Sequence, residues 1–185
     1  MRRLAATMMG LSGLLLTAGG CSGTGAASEG GRMTLNLMRK DTHLRIWLDG
    51  QQAKQDTLKK AATGYSRFNI KEQVSTSPKL KFEILDPDKF GRITQVTVSI
   101  HQEFEADYSH QPEFTIFARD TNNPQAQMKP GIEYDLGCPG EAFKVIDLTG
   151  KEVEGVTLKP GLKHMLVLTV RADKSETGQV YFKTR

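Results

Sequence analysis

Residues 93–104 read Ile-Thr-Gln-Val-Thr-Val-Ser-Ile-His-Gln-Glu-Phe. From Val96 to Ile100 every second side chain is apolar, and the side chains between them are polar. Successive side chains of a β-strand point to opposite faces, so a period of two is typical of a strand with one buried face. We therefore predict a strand here, with Val96, Val98 and Ile100 facing a hydrophobic core.

The same alternation recurs on both sides of this strand, and turn sequences such as Lys129-Pro130-Gly131 and Lys159-Pro160-Gly161 separate the runs. From residue 65 onward, about eight to ten short strands at this spacing predict an all-β fold. Two antiparallel sheets that bury their apolar faces against each other, a β-sandwich, is the architecture we expect for one domain over residues 33–185. The further predicted strands lie at 33–38, 43–48, 68–70, 80–84, 113–119, 132–136, 142–148, 152–158, 162–172 and 178–184.

Residues 49–62 carry two competing signals. Asp49-Gly50 is a strong hairpin turn pair. Asp49 is equally suited to cap a helix, with Gln52 three residues later completing a capping box. The segment 51–62 is rich in Gln, Lys and Ala and has only Leu58 as a large apolar residue. It is therefore predicted as a short surface helix ending at Gly64, or as an irregular connection.

The end of the chain has a pattern of its own. Lys159-Pro160-Gly161 leads into an alternating strand, and a last strand follows at 178–184. This pattern resembles the closing strands of bacterial immunoglobulin-like domains. The resemblance implies an immunoglobulin-like sandwich and no particular activity.

The first 21 residues have the layout of an export signal. Arg2 and Arg3 precede a mostly apolar run at 4–16, and small residues lead into Cys21 through Gly19 and Gly20. This layout resembles the lipobox of bacterial lipoprotein precursors, although Ala18 stands where leucine is most frequent. The resemblance implies a signal peptide at 1–20 that is cut off, and a diacylglycerol on the thiol of Cys21.

Two other interpretations of this segment remain. The small residues before Cys21 also suit an ordinary secretory cut, which releases a soluble protein. An uncleaved membrane helix is disfavoured, because the apolar run is shorter than the roughly 20 residues that a span requires. Residues 21–32 are predicted to be the lipidated N-terminus and a flexible tether of small and polar residues.

Charge and cysteine content exclude some functions. The formal charge is +4, and removal of Arg2 and Arg3 with the signal lowers the basic residues from 25 to 23 against 21 acidic ones. A surplus this small, with no basic run, predicts no nucleic-acid partner. Cys138 is the only other cysteine. Without a histidine nearby in sequence it is not predicted to be catalytic, although an unlipidated Cys21 would make a disulfide between the two conceivable.

Two groups of residues are candidate metal ligands. On the predicted strand, His101 and Glu103 share the face opposite the core, and both are good ligands for a divalent cation. Asp86 and Asp88 precede Gly91, in a spacing like the start of a calcium loop. The alternative for each is structural: a solvated strand face in the first case and a plain inter-strand loop in the second.

Trp47 is the candidate for ligand binding through an aromatic ring. It alternates with Leu44, Ile46 and Leu48, so it is predicted to point away from the core, where with Tyr65, Tyr108 and Tyr181 it would form a sugar-binding face. No nucleophile motif and no phosphate-binding glycine loop occurs, so we predict neither an enzyme nor a cofactor.

These observations together predict a lipid-anchored protein of the bacterial envelope. We expect a non-enzymatic role in which it binds an envelope protein or scaffolds an assembly. The alternative is a carbohydrate- or calcium-binding module. Ser22 after the cysteine implies, by the family resemblance, sorting to the outer membrane of a Gram-negative cell, on its periplasmic or surface side.

Overall fold

The computed structural model describes residues 42–56, 65–104, 107–108 and 111–185. The signal peptide, Cys21, the tether, the strand predicted at 33–38, and Leu58 and Gly64 lie outside these residues. Within the described part of the chain, no helix is long and apolar enough to cross a membrane.

Strands are the dominant secondary structure of the described residues. One helical turn, α1 (Pro87–Phe90), and one 3-10 turn, Pro124–Ala126, interrupt them. The strands are β1 (Leu44–Leu48), β2 (Gln51–Gln52), β3 (Lys54–Gln55), β4 (Tyr65–Val74), β5 (Lys79–Ile84), β6 (Gln95–Phe104), β7 (Asp107–Tyr108), β8 (Phe114–Ala118), β9 (Glu133–Asp135), β10 (Phe143–Asp147), β11 (Glu152–Val153), β12 (Lys163–Arg171) and β13 (Ser175–Thr184).

These strands form two sheets that pack against each other, which confirms the predicted all-β sandwich. The small sheet has the order β2-β1-β5-β9. The large sheet has the order β11-β10-β8-β6-β12-β13-β4-β3, and β7 adds to β6. The prediction of antiparallel pairing is wrong at one place, because β4 runs parallel to β13. That pair joins an early strand to the last strand, a long-range choice that no local pattern encodes.

The core lies between the inward faces of the two sheets. From the small sheet, Leu44, Ile46 and Leu48 are fully buried, as the alternation predicted. From the large sheet, β6 buries Val96, Val98 and Ile100, as predicted, and β12 contributes a matching row. Each such side chain stabilises the fold by about 1.5–3 kcal/mol when removed from water, so this layer dominates the folding free energy.

Gly178 lies where β13 of the large sheet packs closely against β1 of the small sheet. A Cβ atom built there would lie 2.6 Å from Cδ1 of Ile46 and 3.2 Å from Cε2 of Phe68. Both neighbours are buried, so neither has open space to move into. Only glycine therefore allows β13 to lie under β1 at this distance.

The Asp49-Gly50 pair forms the hairpin turn, and the helix-cap alternative is wrong. Both residues have positive φ, +50° and +74°, as a two-residue hairpin between β1 and β2 requires. The residues 51–52 and 54–55 are strands and not helix. Their side chains favour helix, but hydrogen bonds to β1 and β4 decide the conformation.

The carboxylate of Asp49 also binds the loop that precedes β5. Its Oδ2 accepts from the Ser75 N–H at 2.6 Å, and its Oδ1 accepts from the Lys79 N–H at 2.8 Å. Burial works against ionisation, but these hydrogen bonds outweigh it and lower the pKa of Asp49. Asp49 therefore has two roles: it forms the hairpin turn, and its carboxylate acts as a long-range clamp that holds the loop before β5.

Candidate functional site

The predicted metal ligands lie at opposite ends of the large sheet. Asp86 and Asp88 belong to the α1 turn, where Asp86 Oδ2 is 3.5 Å from Lys89 Nζ. Gly91 follows the turn and lies against the side chain of Asp173 in the β12–β13 turn. The segment predicted as a loop at Asp86–Gly91 contains the short helix α1, and the fully buried side chain of Phe90 holds this helix in place.

His101 and Glu103 occupy the outward face of β6, as predicted, toward its far end. Glu103 Oε2 is 3.2 Å from Nζ of Lys163 at the start of β12. Strand β12 separates this end from the α1 end by about 25 Å. The two predicted ligand pairs are therefore not brought together, and no group of three or more His, Cys, Asp or Glu in the described ranges is placed to hold a metal ion.

The four aromatic residues of the predicted sugar-binding face are divided between the two sheets. Trp47 points away from the core on the small sheet, as predicted, and Lys81 Nζ lies 5.1 Å from its ring centroid. On the large sheet, Tyr108 and Tyr181 form an edge-to-face pair with centroids 5.2 Å apart. The guanidinium of Arg67 covers the Tyr181 ring at 3.7 Å. Burial, with Glu103 beside it, raises the pKa of Tyr108 to about 12.

The outward face of the small sheet is highly charged. Lys81 and Glu83 pair at 2.9 Å, and Lys79 reaches Glu133 at 3.8 Å across to β9. Exposed Arg45 and Asp135 extend this surface. Such exposed pairs contribute about 1 kcal/mol or less, and they keep the face solvated.

The outward face of the large sheet is different, because the middle of its central strands carries no formal charge. We term this surface the neutral face. Its residues are half-buried, with apolar and hydroxyl side chains side by side. They are Thr97 and Ser99 of β6, Thr115 and Phe117 of β8, Ile146 of β10, Met165, Val167 and Thr169 of β12, and Thr177 and Gln179 of β13.

The strand register makes the neutral face continuous. Val167 lies opposite both Ser99 and Gln179 in the neighbouring strands. Thr169 lies opposite Thr177, and their hydroxyl oxygens are 3.3 Å apart. With strands about 4.8 Å apart, five strands give a surface about 20 Å wide. In the sequence, the residues of the neutral face are alternate positions of separate strands. Only the strand register shows that they lie side by side.

A second group that the sequence did not reveal is the pair His164 and Glu113. His164 takes an inward position on β12, is fully buried, and stacks on Phe182 with centroids 5.7 Å apart. Its Nδ1 is 3.7 Å from Glu113 Oε2, and neither atom makes a hydrogen bond to a described residue. Burial lowers the pKa of His164 and raises that of Glu113. The alternation in β12 places position 164 on the inward face, and this was the signal in the sequence that His164 would be buried.

Cys138 is exposed in the turn after β9, with a free thiol. The described residues thus offer two opposite outer faces, one charged and one neutral, and a buried histidine–carboxyl pair. No protein-family model, no curated protein and no solved structure matches this chain.

Proposed function

We propose that this protein is a lipid-anchored protein of the bacterial envelope that binds another protein through the neutral face. The observation that carries the proposal is the contrast between the two outer faces. Protein interfaces are depleted of charge at their centre, because burying an unpaired charge is costly. A surface that stays in contact with water can carry charges at its centre, and the outward face of the small sheet does so. Uncharged, partly apolar patches on a surface mark sites of interaction.

The lipid anchor follows from the lipobox resemblance at Gly19, Gly20 and Cys21. Each buried methylene of an acyl chain contributes about 0.8 kcal/mol, so two or three chains give lasting attachment. Residues 22–32 would hold the domain roughly 20 Å from the bilayer. Mass spectrometry of the protein purified from its native membrane tests the anchor. An acyl mass on Cys21 is expected, and an unmodified N-terminus would contradict it.

The immunoglobulin-like resemblance also belongs to this proposal. The strand order β13-β12-β6-β8-β10 corresponds to the G-F-C-C′-C″ order of a variable-type immunoglobulin sheet. One feature departs from that type. Strand β9 lies between β8 and β10 in the sequence, but it pairs with β5 in the small sheet. The neutral face is the outer surface of these five strands.

The binding proposal is tested by placing a photo-cross-linking amino acid at single positions in the full-length, lipidated protein. Position 167 reports on the neutral face, and position 45 on the charged face is the matched control. We expect a discrete adduct with another protein from position 167 and none from position 45. Equal yields at the two positions, or no adduct from either, would contradict the proposal.

Carbohydrate binding is the second candidate function. Its support is Trp47, a half-buried ring on an outer face among polar side chains. Binding to a glycan array that disappears in Trp47→Ala and persists in Tyr65→Ala would favour it. Calcium binding has no comparable support, because Asp86, Asp88, His101 and Glu103 do not converge.

A further inference from the structure

We propose that the partner of the neutral face presents an uncharged centre bordered by carboxylates, and that this partner is not a second copy of the chain. This inference rests on the proposed function and specifies the chemistry of the partner. It is carried by the charges that surround the neutral face.

Three cations border the neutral face on three sides, and we term them the basic border. Lys144 lies on β10 opposite Phe117. Arg171 ends β12 two residues beyond Thr169, and Lys183 lies near the end of β13. Arg171 donates to the neutral Gln95 at 3.1 Å. Among the described residues, none of these three cations forms an ion pair.

The acidic residues near this border are matched by other cations. Glu103 pairs with Lys163 at 3.2 Å, and Asp56 lies 3.7 Å from Arg67. Glu152 contacts the guanidinium of Arg119 and also interacts electrostatically with Lys144. Exposed Asp173, in the turn after Arg171, is followed directly by exposed Lys174. The border is therefore net positive, and the positive charge lies at its edge and not at its centre.

This distribution opposes pairing of two copies through the neutral face. In a two-fold symmetric dimer the same patch faces itself. Each copy would bring its own cations to an edge that already carries a net positive charge, and like charges at an interface are repulsive. A partner with carboxylates at these positions instead gains charge-assisted hydrogen bonds at the edge while its centre stays dry.

The composition of the surface favours a protein over an anionic membrane. Binding in a bilayer interface needs apolar side chains that project into the headgroup region. The residues of the neutral face are half-buried, and half of them carry hydroxyl groups. Among the described residues, the most exposed large apolar side chain is that of Leu148, which lies in the turn between β10 and β11 and not on this face.

The test reverses the basic border in the full-length lipidated protein with the photo-cross-linker at position 167. The variant is Lys144→Glu, Arg171→Glu and Lys183→Glu. We expect the adduct yield to fall about tenfold, because edge charges of the wrong sign are repelled before contact. The control reverses the same number of charges on the other face, with Arg45→Glu, Lys79→Glu and Lys81→Glu, and is expected to leave the yield unchanged.

Two further measurements identify the partner's surface. Peptide mapping of the adduct is expected to find Asp or Glu flanking the cross-linked site. Raising NaCl from about 0.05 to 0.5 M is expected to weaken the wild-type adduct and to leave that of the reversed variant unaffected, since salt screens exposed charges.

The outcomes separate this inference from the proposed function. An adduct of twice the protein's own mass, an undiminished yield after reversal, or binding to phosphatidylglycerol vesicles that Val167→Glu abolishes, would overturn the inference alone. Failure of position 167 to cross-link more than position 45 would overturn the proposed function as well.

Discussion

At the scale of single residues, the fold disfavours the protonated form of the buried His164. Burial lowers its pKa, so the unfolded chain takes up the proton first as pH falls. The free energy of unfolding is therefore unaffected by this group above its ordinary value of 6.5 and decreases as pH falls below it.

We expect urea denaturation to show this loss between pH 6.5 and 5. In His164→Gln the loss should be largely absent, because no proton is taken up at that position. A variant that loses stability as steeply as the wild type would show that another group is responsible.

The effect of Glu113 on the pH dependence of stability is opposite in sign to that of His164. Burial raises its pKa, so the ionised form that prevails at neutral pH is disfavoured in the folded state. We expect Glu113→Gln to raise the unfolding free energy at pH 7 by on the order of 1 kcal/mol, the scale of one buried polar group. The advantage should disappear as pH falls below the ordinary pKa of 4.5, where the wild-type carboxyl becomes protonated in both states. Destabilisation at pH 7 would contradict this account.

Asp49 is expected to be the carboxylate on which the fold depends most at low pH. Asp49→Ala removes the acceptors of the Ser75 and Lys79 N–H groups and should cost about 1.5–3 kcal/mol. Because the pKa of Asp49 is lowered, its contribution is present above 3.8 and lost as pH falls below it.

Asp147 provides the matched control for Asp49. It accepts from the N–H groups of Thr149 and Lys151, but only within its own exposed turn. Chemical denaturation of Asp147→Ala should therefore show a smaller loss. An equal loss in the two variants would mean that the long-range clamp adds nothing.

At the scale of elements, strands that bury one face could be predicted from the sequence, and so could the edge strands β9 and β11, but the edge strands β2 and β3 could not. The alternation in β1, β6 and β12 is the direct trace of burial, so both strand and core face were identified. Residues 51–55 have polar, helix-favouring side chains, yet their hydrogen-bonding partners make them strand. For the candidate site, the sequence predicted which residues of β6 point outward. It did not predict which residues of the neighbouring strands lie beside them, because that depends on the strand register.

Gly178 provides a test of the packing between elements. Gly178→Ala should destabilise the protein by about 1–3 kcal/mol, because the added methyl group meets Ile46 and Phe68 in a packed core. Ser175→Ala, in the same strand but exposed, should change stability by less than about 0.5 kcal/mol. Thermal and urea denaturation measure both, and similar effects in the two variants would rule out close sheet contact as the cause.

At the scale of the whole molecule, the two outer faces divide the surface into a solvated side and a side suited to contact. Val167→Glu should therefore leave the free energy of unfolding within about 1 kcal/mol of the wild type, because position 167 reaches solvent. The same change should abolish the cross-link from neighbouring position 99. A large loss of stability would instead assign the neutral face to the protein's own folding.

The parallel pairing of β4 with β13 has a consequence for the order of folding. Strand β13 is not an edge but lies between β12 and β4, so the large sheet is interrupted wherever β13 is missing. A chain that lacks residues 175–184 leaves β4 without its neighbour and the inward row of β12 uncovered. The large sheet therefore cannot close from its N-terminal strands alone, and its two parts join only when β13 has inserted between them.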